Sequence, residues 1–195
     1  MNSVYDPCPC NSGKKFKFCC LAASKNPNTA SQAIATWPIH ACFVGKSWQE
    51  SGLANLAVVR TMPQGDFIAG VYLIDVLCLG VKDAYLTKNM QQKELRELMD
   101  RIASTGDGLQ KLSYEDARSI VLGGLAFAAK FGFSPHVDWQ QAKVIIEPER
   151  TFSDKFTFGR DGKPFYISGP YDGPKLKEYV KKVDAAGGKW IMRVG

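Results

Sequence analysis

Residues 53–80 read LANLAVVRTMPQGDFIAGVYLIDVLCLG. Two apolar runs, 53–60 and 66–79, flank the segment Thr61-Met62-Pro63-Gln64-Gly65. Proline presets φ for the first corner of a turn, and glycine accepts the positive φ that a later corner needs. The pattern therefore predicts an antiparallel β-hairpin. Its second run carries only Asp75 as a charged residue beyond Asp66. A strand so continuously apolar is expected to be central and covered on both faces.

Outward from the hairpin, residues 39–44 are apolar and β-prone. Downstream, Met90, Leu95, Leu98, Met99 and Ile102 recur at helical spacing among charged residues, which predicts a helix over 88–104. Ser113-Tyr-Glu-Asp116 resembles a capping box and opens a largely buried helix to about Lys130, in which Gly123-Gly124 permits a close neighbour or a kink. Asp138 is expected to cap a short helix through Trp139 and Val144. Residues 156–158 and 164–167 flank Gly159-Arg-Asp-Gly162, a second hairpin signal. Asp172-Gly-Pro174 opens a helix over 175–186, closed by Gly187-Gly188, and 189–194 reads as an edge strand. Strand pairs interrupted by helices without a βαβ repeat give the class α+β, with a mainly antiparallel sheet and about four helices.

A hydrophobic content of 45% with 23% charged residues over 195 residues is enough for a packed core and excludes a wholly disordered chain. The net charge of +6 and a pI near 9.0 favour acidic partners. No apolar run reaches the roughly 18 residues of a membrane span, and the start lacks the basic and apolar regions of a signal peptide. The expected compartment is the cytoplasm, where thiols stay reduced and clustered cysteines point to metal or catalysis before disulfides.

That clustering is at the N-terminus. Residues 6–20, DPCPCNSGKKFKFCC, hold Cys8, Cys10, Cys19 and Cys20, four of the six cysteines. Two close thiol pairs joined by a short loop suit a tetrahedral ion, with Zn–S distances of about 2.3 Å. Pro7 and Pro9 stiffen the first pair, and Asn11-Ser12-Gly13 turns the chain back. Lys14, Lys15 and Lys17 offset the charge of about −2 that four thiolates leave around Zn²⁺. Iron fits the same sulfur set, and the vicinal Cys19-Cys20 pair also admits a redox or metal sensor.

Cys-Pro-Cys-x-Ser-Gly-Lys-Lys-aromatic-Lys-x-Cys-Cys resembles the SEC-C motif, a short zinc-binding tail of the protein-export motor ATPase that is also appended to otherwise unrelated bacterial proteins. The resemblance implies Zn²⁺ on Cys8, Cys10, Cys19 and Cys20. It also implies a contact surface for a protein partner or the ribosome, here Lys14, Lys15, Phe16, Lys17 and Phe18. Asn11 replaces the usual glycine and Phe18 a commonly polar residue. The organisation read from the sequence is a knuckle over 1–23, a linker over 24–36 and an α+β domain over 37–195. Within that domain Leu79-Gly-Val-Lys-Asp83 and Gly162-Lys-Pro-Phe-Tyr-Ile-Ser-Gly-Pro170 resemble bacterial domains of unknown function that travel with the motif, and no activity comes with them.

Catalytic candidates in the larger domain are Asp75, Lys82, Asp83 and His136, with Asp138 two residues on. An aspartate in an apolar run needs a partner, for which Lys82 is available. The plainer readings are a strand-end cap for Asp75, a loop and N-cap for His136 and Asp138, and core packing for His40, Cys42 and Cys78. No phosphate-binding loop, nucleophile elbow or zinc-protease motif occurs. The favoured function is a non-enzymatic, zinc-stabilised protein that docks on a protein or ribosome/RNA partner. The alternatives are a hydrolase or nuclease whose four candidates converge in one pocket, and the redox or metal sensor.

Overall fold

The computed structural model describes Tyr5, Lys15, Lys17 and residues 33–146, 151–169 and 172–192. Cys8, Cys10, Lys14, Phe16, Phe18, Cys19 and Cys20, and most of the expected linker, lie outside the described residues. Five strands, β1 (Ile39–Gly45), β2 (Leu53–Thr61), β3 (Phe67–Asp75), β4 (Gly80–Met90) and β5 (Leu109–Leu112), form one sheet in the order β4-β3-β2-β1-β5. Every neighbouring pair in it is antiparallel. The β2–β3 hairpin pairs from Leu53↔Asp75 to Thr61↔Phe67, and Gly65 takes the positive φ, 97°, that its turn requires.

Helices cover both faces of this sheet, which explains the unbroken apolar run of β3. On one face Ala57, Val59, Phe67, Ala69 and Val71 pack on Leu95, Leu98 and Ile102 of a helix over Gln92–Ala103. The alternate residues Leu56, Val58, Ile68, Tyr72 and Ile74 point the other way. They meet Ala117, Ile120 and Val121 of a helix over Tyr114–Lys130, and Trp139, Ala142 and Ile145 of a short segment, Trp139–Ala142 followed by a 3₁₀ turn over Lys143–Ile145. Residues 33–35 are helical, and the helices that follow are numbered α1 (Trp48–Ser51, a single turn), α2 (Gln92–Ala103), α3 (Tyr114–Lys130), α4 (Trp139–Ala142) and α5 (Leu176–Ala185). The class is α+β. Among the described residues no helix is long and apolar enough to cross a membrane.

Helix α3 begins as expected, with Ser113 Oγ accepting from Asp116 N at 3.0 Å. Its two glycines mark a close approach: a Cβ at Gly124 would lie 2.7 Å from Ile74 Cγ2. A Cβ at Gly80 would lie 2.8 Å from both the Gly124 carbonyl oxygen and Ala128 Cβ, and Gly80 also has φ +66°. Glycine is therefore required at Gly80, where α3 seats on the start of β4, and at Gly124, where α3 seats on Ile74 of β3.

Three local expectations are corrected. Residues 88–90 belong to β4, and α2 starts only at Gln92, where Glu94 Oε2 accepts from Gln91 N at 2.8 Å. Residues 156–158 form no strand: Phe158 lies against Gly123, and Phe156 packs edge-on to Trp48. The tight turn is present as an Arg160↔Lys163 bridge, but it leads into β6 (Phe165–Ile167), which pairs parallel with β7 (Lys189–Ile191) across α5. Finally, Asp138 makes no side-chain cap on α4, because its backbone is helical (φ −71°, ψ −11°) where a capping residue is extended.

Candidate functional site

The turn between β3 and β4 gathers segments that are distant in sequence. Its carbonyls at Val76 and Leu77 accept from Gly159 N and Phe165 N, both at 2.9 Å, and Val81 O accepts from His136 N at 2.9 Å. Backbone groups that the sheet leaves unpaired thus hold the β6 strand and the α3–α4 loop against the sheet end. Between them lies a cleft of about 1040 Å³. Its lining is apolar at Leu53, Leu73, Leu77, Leu79, Val81, Phe165 and Ile167, with Asp75, Lys82, Asp83, His136, Ser168, Asp172 and Lys175 among the polar groups. An apolar cleft with a few converging polar groups is the usual form of a small-ligand site.

All four sequence candidates, Asp75, Lys82, Asp83 and His136, line this one cleft. A strand normally sends successive side chains to opposite faces. Here Val81 pairs with Ile74 and Asp83 with Leu73, so Lys82 is an extra residue in β4 and forms a bulge. The bulge re-aims the chain, so that Lys82 and Asp83 both reach the cleft.

Asp75 is buried, and its Oδ1 accepts from Leu77 N at 3.0 Å and Cys78 N at 2.9 Å. It caps the turn and does not form the direct pair with Lys82 that the sequence suggested. The Lys82 ammonium lies instead 3.9 Å from Asp172 Oδ2. Burial pushes the Asp75 carboxyl up to about 6, although Lys82 and the turn amides pull the other way. Asp172, read from sequence as part of a helix opening, accepts from the Tyr166 hydroxyl at 2.8 Å and Gly169 N at 2.7 Å. Tyr166 is itself buried, and nothing in its sequence setting signalled a polar contact.

At the rim, His136 Nδ1 lies 3.6 Å from Asp83 Oδ1 and 3.5 Å from Asp138 Oδ2. The Asp138 carboxylate, not needed as a cap, faces the imidazole. Cys42 and Cys78 are buried core thiols, and burial lifts both well above the range in which a thiolate forms, Cys42 to about 12. His40, expected in the core, is exposed on β1, its ring 4.5 Å from that of Phe67 and away from the cleft lining.

The Asp75 carboxyl should leave a signature in stability. Its folded pKa, about 6, lies above the ordinary aspartate value of about 3.9, so the folded state binds its proton more tightly than the unfolded chain does. Stability from this group is intact below about pH 4, falls as pH rises through 6, and is lower above that by on the order of 3 kcal/mol. Asn in its place keeps an acceptor for the Leu77 and Cys78 amides and cannot ionise. Urea unfolding should therefore show Asp75→Asn gaining about 2–3 kcal/mol on wild type between pH 4 and pH 8. An equal difference at both pH values would contradict the burial argument.

Residues 6–22 match the family model of the SEC-C motif, a motif generally associated with zinc. No curated protein and no solved structure matches the chain.

Proposed function

We propose that the chain is a zinc-binding interaction protein in which the SEC-C motif docks on a partner while the α+β domain holds a ligand in its cleft. The observation that carries this reading is the motif match over residues 6–22, which spans Cys8, Cys10, Cys19 and Cys20. Four thiolates in two close pairs are a fitting donor set for Zn²⁺, and these four residues would hold the ion. Zinc would supply the folding free energy of a segment too short for its own core. The Lys17 ammonium lies 3.9 Å from the centroid of the Tyr5 ring.

Lys14, Lys15, Phe16, Lys17 and Phe18 alternate charge with aromatic faces, a mixture suited to phosphates and bases together. The ribosome, in the cytoplasm, is accordingly the first partner to test. Co-sedimentation of the full chain with ribosomes should weaken roughly 40-fold between ~50 and ~200 mM salt if three lysines each neutralise a phosphate. Association insensitive to salt would count against an RNA partner.

A second reading, a hydrolase or nuclease, is supported by the convergence of Asp75, Lys82, Asp83 and His136 on one cleft. Asp75, titrating near neutrality, suits proton transfer, and Lys82 suits a developing negative charge. Turnover of ester or phosphodiester substrates that Asp75→Asn abolishes would support it. No turnover across such substrates would remove it.

A further inference from the structure

We propose that Asp83, His136 and Asp138 form a divalent-cation site on the rim of the cleft, distinct from the cysteine site at the N-terminus. One ligand atom from each of the three lies within 4.8 Å of the other two. Around an ion with bonds of about 2.1 Å, neighbouring donors stand about 3 Å apart, so small rotations of partly exposed side chains close the set.

The main chain carrying these donors is held firmly, leaving only the side chains to adjust. Asp83 stands on β4, paired with Leu73 just past the bulge. His136 is tied to that strand through Val81 O, and Trp139 N donates to His136 O at 3.1 Å. The Trp139 ring is buried and anchors the loop from the other side. Two carboxylates and the Asp138 amide, at 3.4 Å, converge on the same imidazole nitrogen. A cation bound by Nδ1 and both carboxylates would sit where Asp83 and His136 line the cleft.

One imidazole and two carboxylates suit Mn²⁺ or Mg²⁺, whereas thiolates select the softer metals. The two sites are therefore separable by metal type. The proposal extends the reading of the cleft as a ligand site, but metal binding is measured without turnover or ribosomes. Its failure would leave those two readings to their own tests.

The zinc-loaded full chain is titrated with Mn²⁺, and free Mn²⁺ is followed by electron paramagnetic resonance. The expected result is about one Mn²⁺ bound per chain, weakened roughly 10- to 100-fold by each of Asp83→Asn, His136→Gln and Asp138→Asn. Glu50→Gln, an exposed carboxylate outside the set, should bind as wild type. Thermal melting of each variant checks that the fold is kept. No Mn²⁺ bound by wild type up to about 1 mM, or equal binding in the folded rim variants, would overturn the site.

Discussion

A full-length chain carrying Cys19→Ser and Cys20→Ser should retain no zinc after gel filtration, against about one ion per chain for the native protein. Removing two of four thiolates takes away the second close pair, and two thiolates do not complete a structural tetrahedron. For zinc peptides the binding free energy is the folding free energy, on the order of 10 kcal/mol or more, so the segment should lose its fold entirely. The α+β domain should melt as before, because its sheet and covering helices supply their own buried core. Metal analysis by mass spectrometry checks the stoichiometry and separates zinc from iron. Full zinc retention in the double variant would exclude Cys19 and Cys20 as ligands.

Arg60→Met should destabilise the α+β domain by roughly 4 kcal/mol, although it removes a charge from a nearly closed interior. Arg60 is 2% exposed. Its guanidinium donates to Ala35 O at 2.9 Å, Trp37 O at 2.7 Å and Ile145 O at 3.1 Å, and to the Tyr114 hydroxyl at 2.7 Å. One planar fork on β2 thus ties the segment before β1 and the turn after α4 to the sheet. Truncation removes this donor from the Ala35 and Trp37 carbonyls, at about 1–3 kcal/mol for each buried group, while Ile145 O keeps the Tyr114 hydroxyl at 3.1 Å. Lysine reaches fewer of them and lacks the fork, so Arg60→Lys should recover only about half the loss. Urea unfolding monitored by circular dichroism gives both values. A loss under about 1 kcal/mol for the methionine variant would mean that water or a rearranged side chain takes over these carbonyls.

Arg60 also illustrates what the sequence concealed. It stands at the end of an apolar run, where a single arginine reads as the strand reaching solvent. Three of its partners are backbone carbonyls 23 to 85 residues away, and carbonyls leave no mark in composition. The β2–β3 hairpin was legible for the opposite reason. Pro63 and Gly65 are local, and two covered faces write a continuous apolar run into β3. Strand β4 was hidden because bulges interrupt its period of two: one leaves Lys82 unpaired, and another lies near Asn89, which has φ +56°. The parallel pairing of β6 with β7 was hidden because its crossover helix stands between them, while the glycine-rich turn before β6 imitates a hairpin.

The cleft was partly legible. Asp75 drew notice as a carboxylate in an apolar run, and Lys82, Asp83 and His136 as polar groups near a turn. Their meeting depends on the bulge and on the His136 N–Val81 O bond, which no local pattern announces. Asp172 escaped because Asp-Gly-Pro is equally a helix opening. Asp138 was read as a cap because that is where aspartate most often stands before a helix; the helical backbone at that residue frees its carboxylate for His136.

The reading of the chain as a zinc-dependent docking protein stands or falls on whether the metal controls association. Zinc-loaded wild type and the Cys19→Ser/Cys20→Ser chain, with the α+β domain of each shown folded, are sedimented with ribosomes at low salt. Wild type should pellet with the ribosomes, and the variant should bind at least ~10-fold more weakly, since the lysine and phenylalanine strip loses the scaffold that presents it. Equal sedimentation of the two would contradict the reading directly.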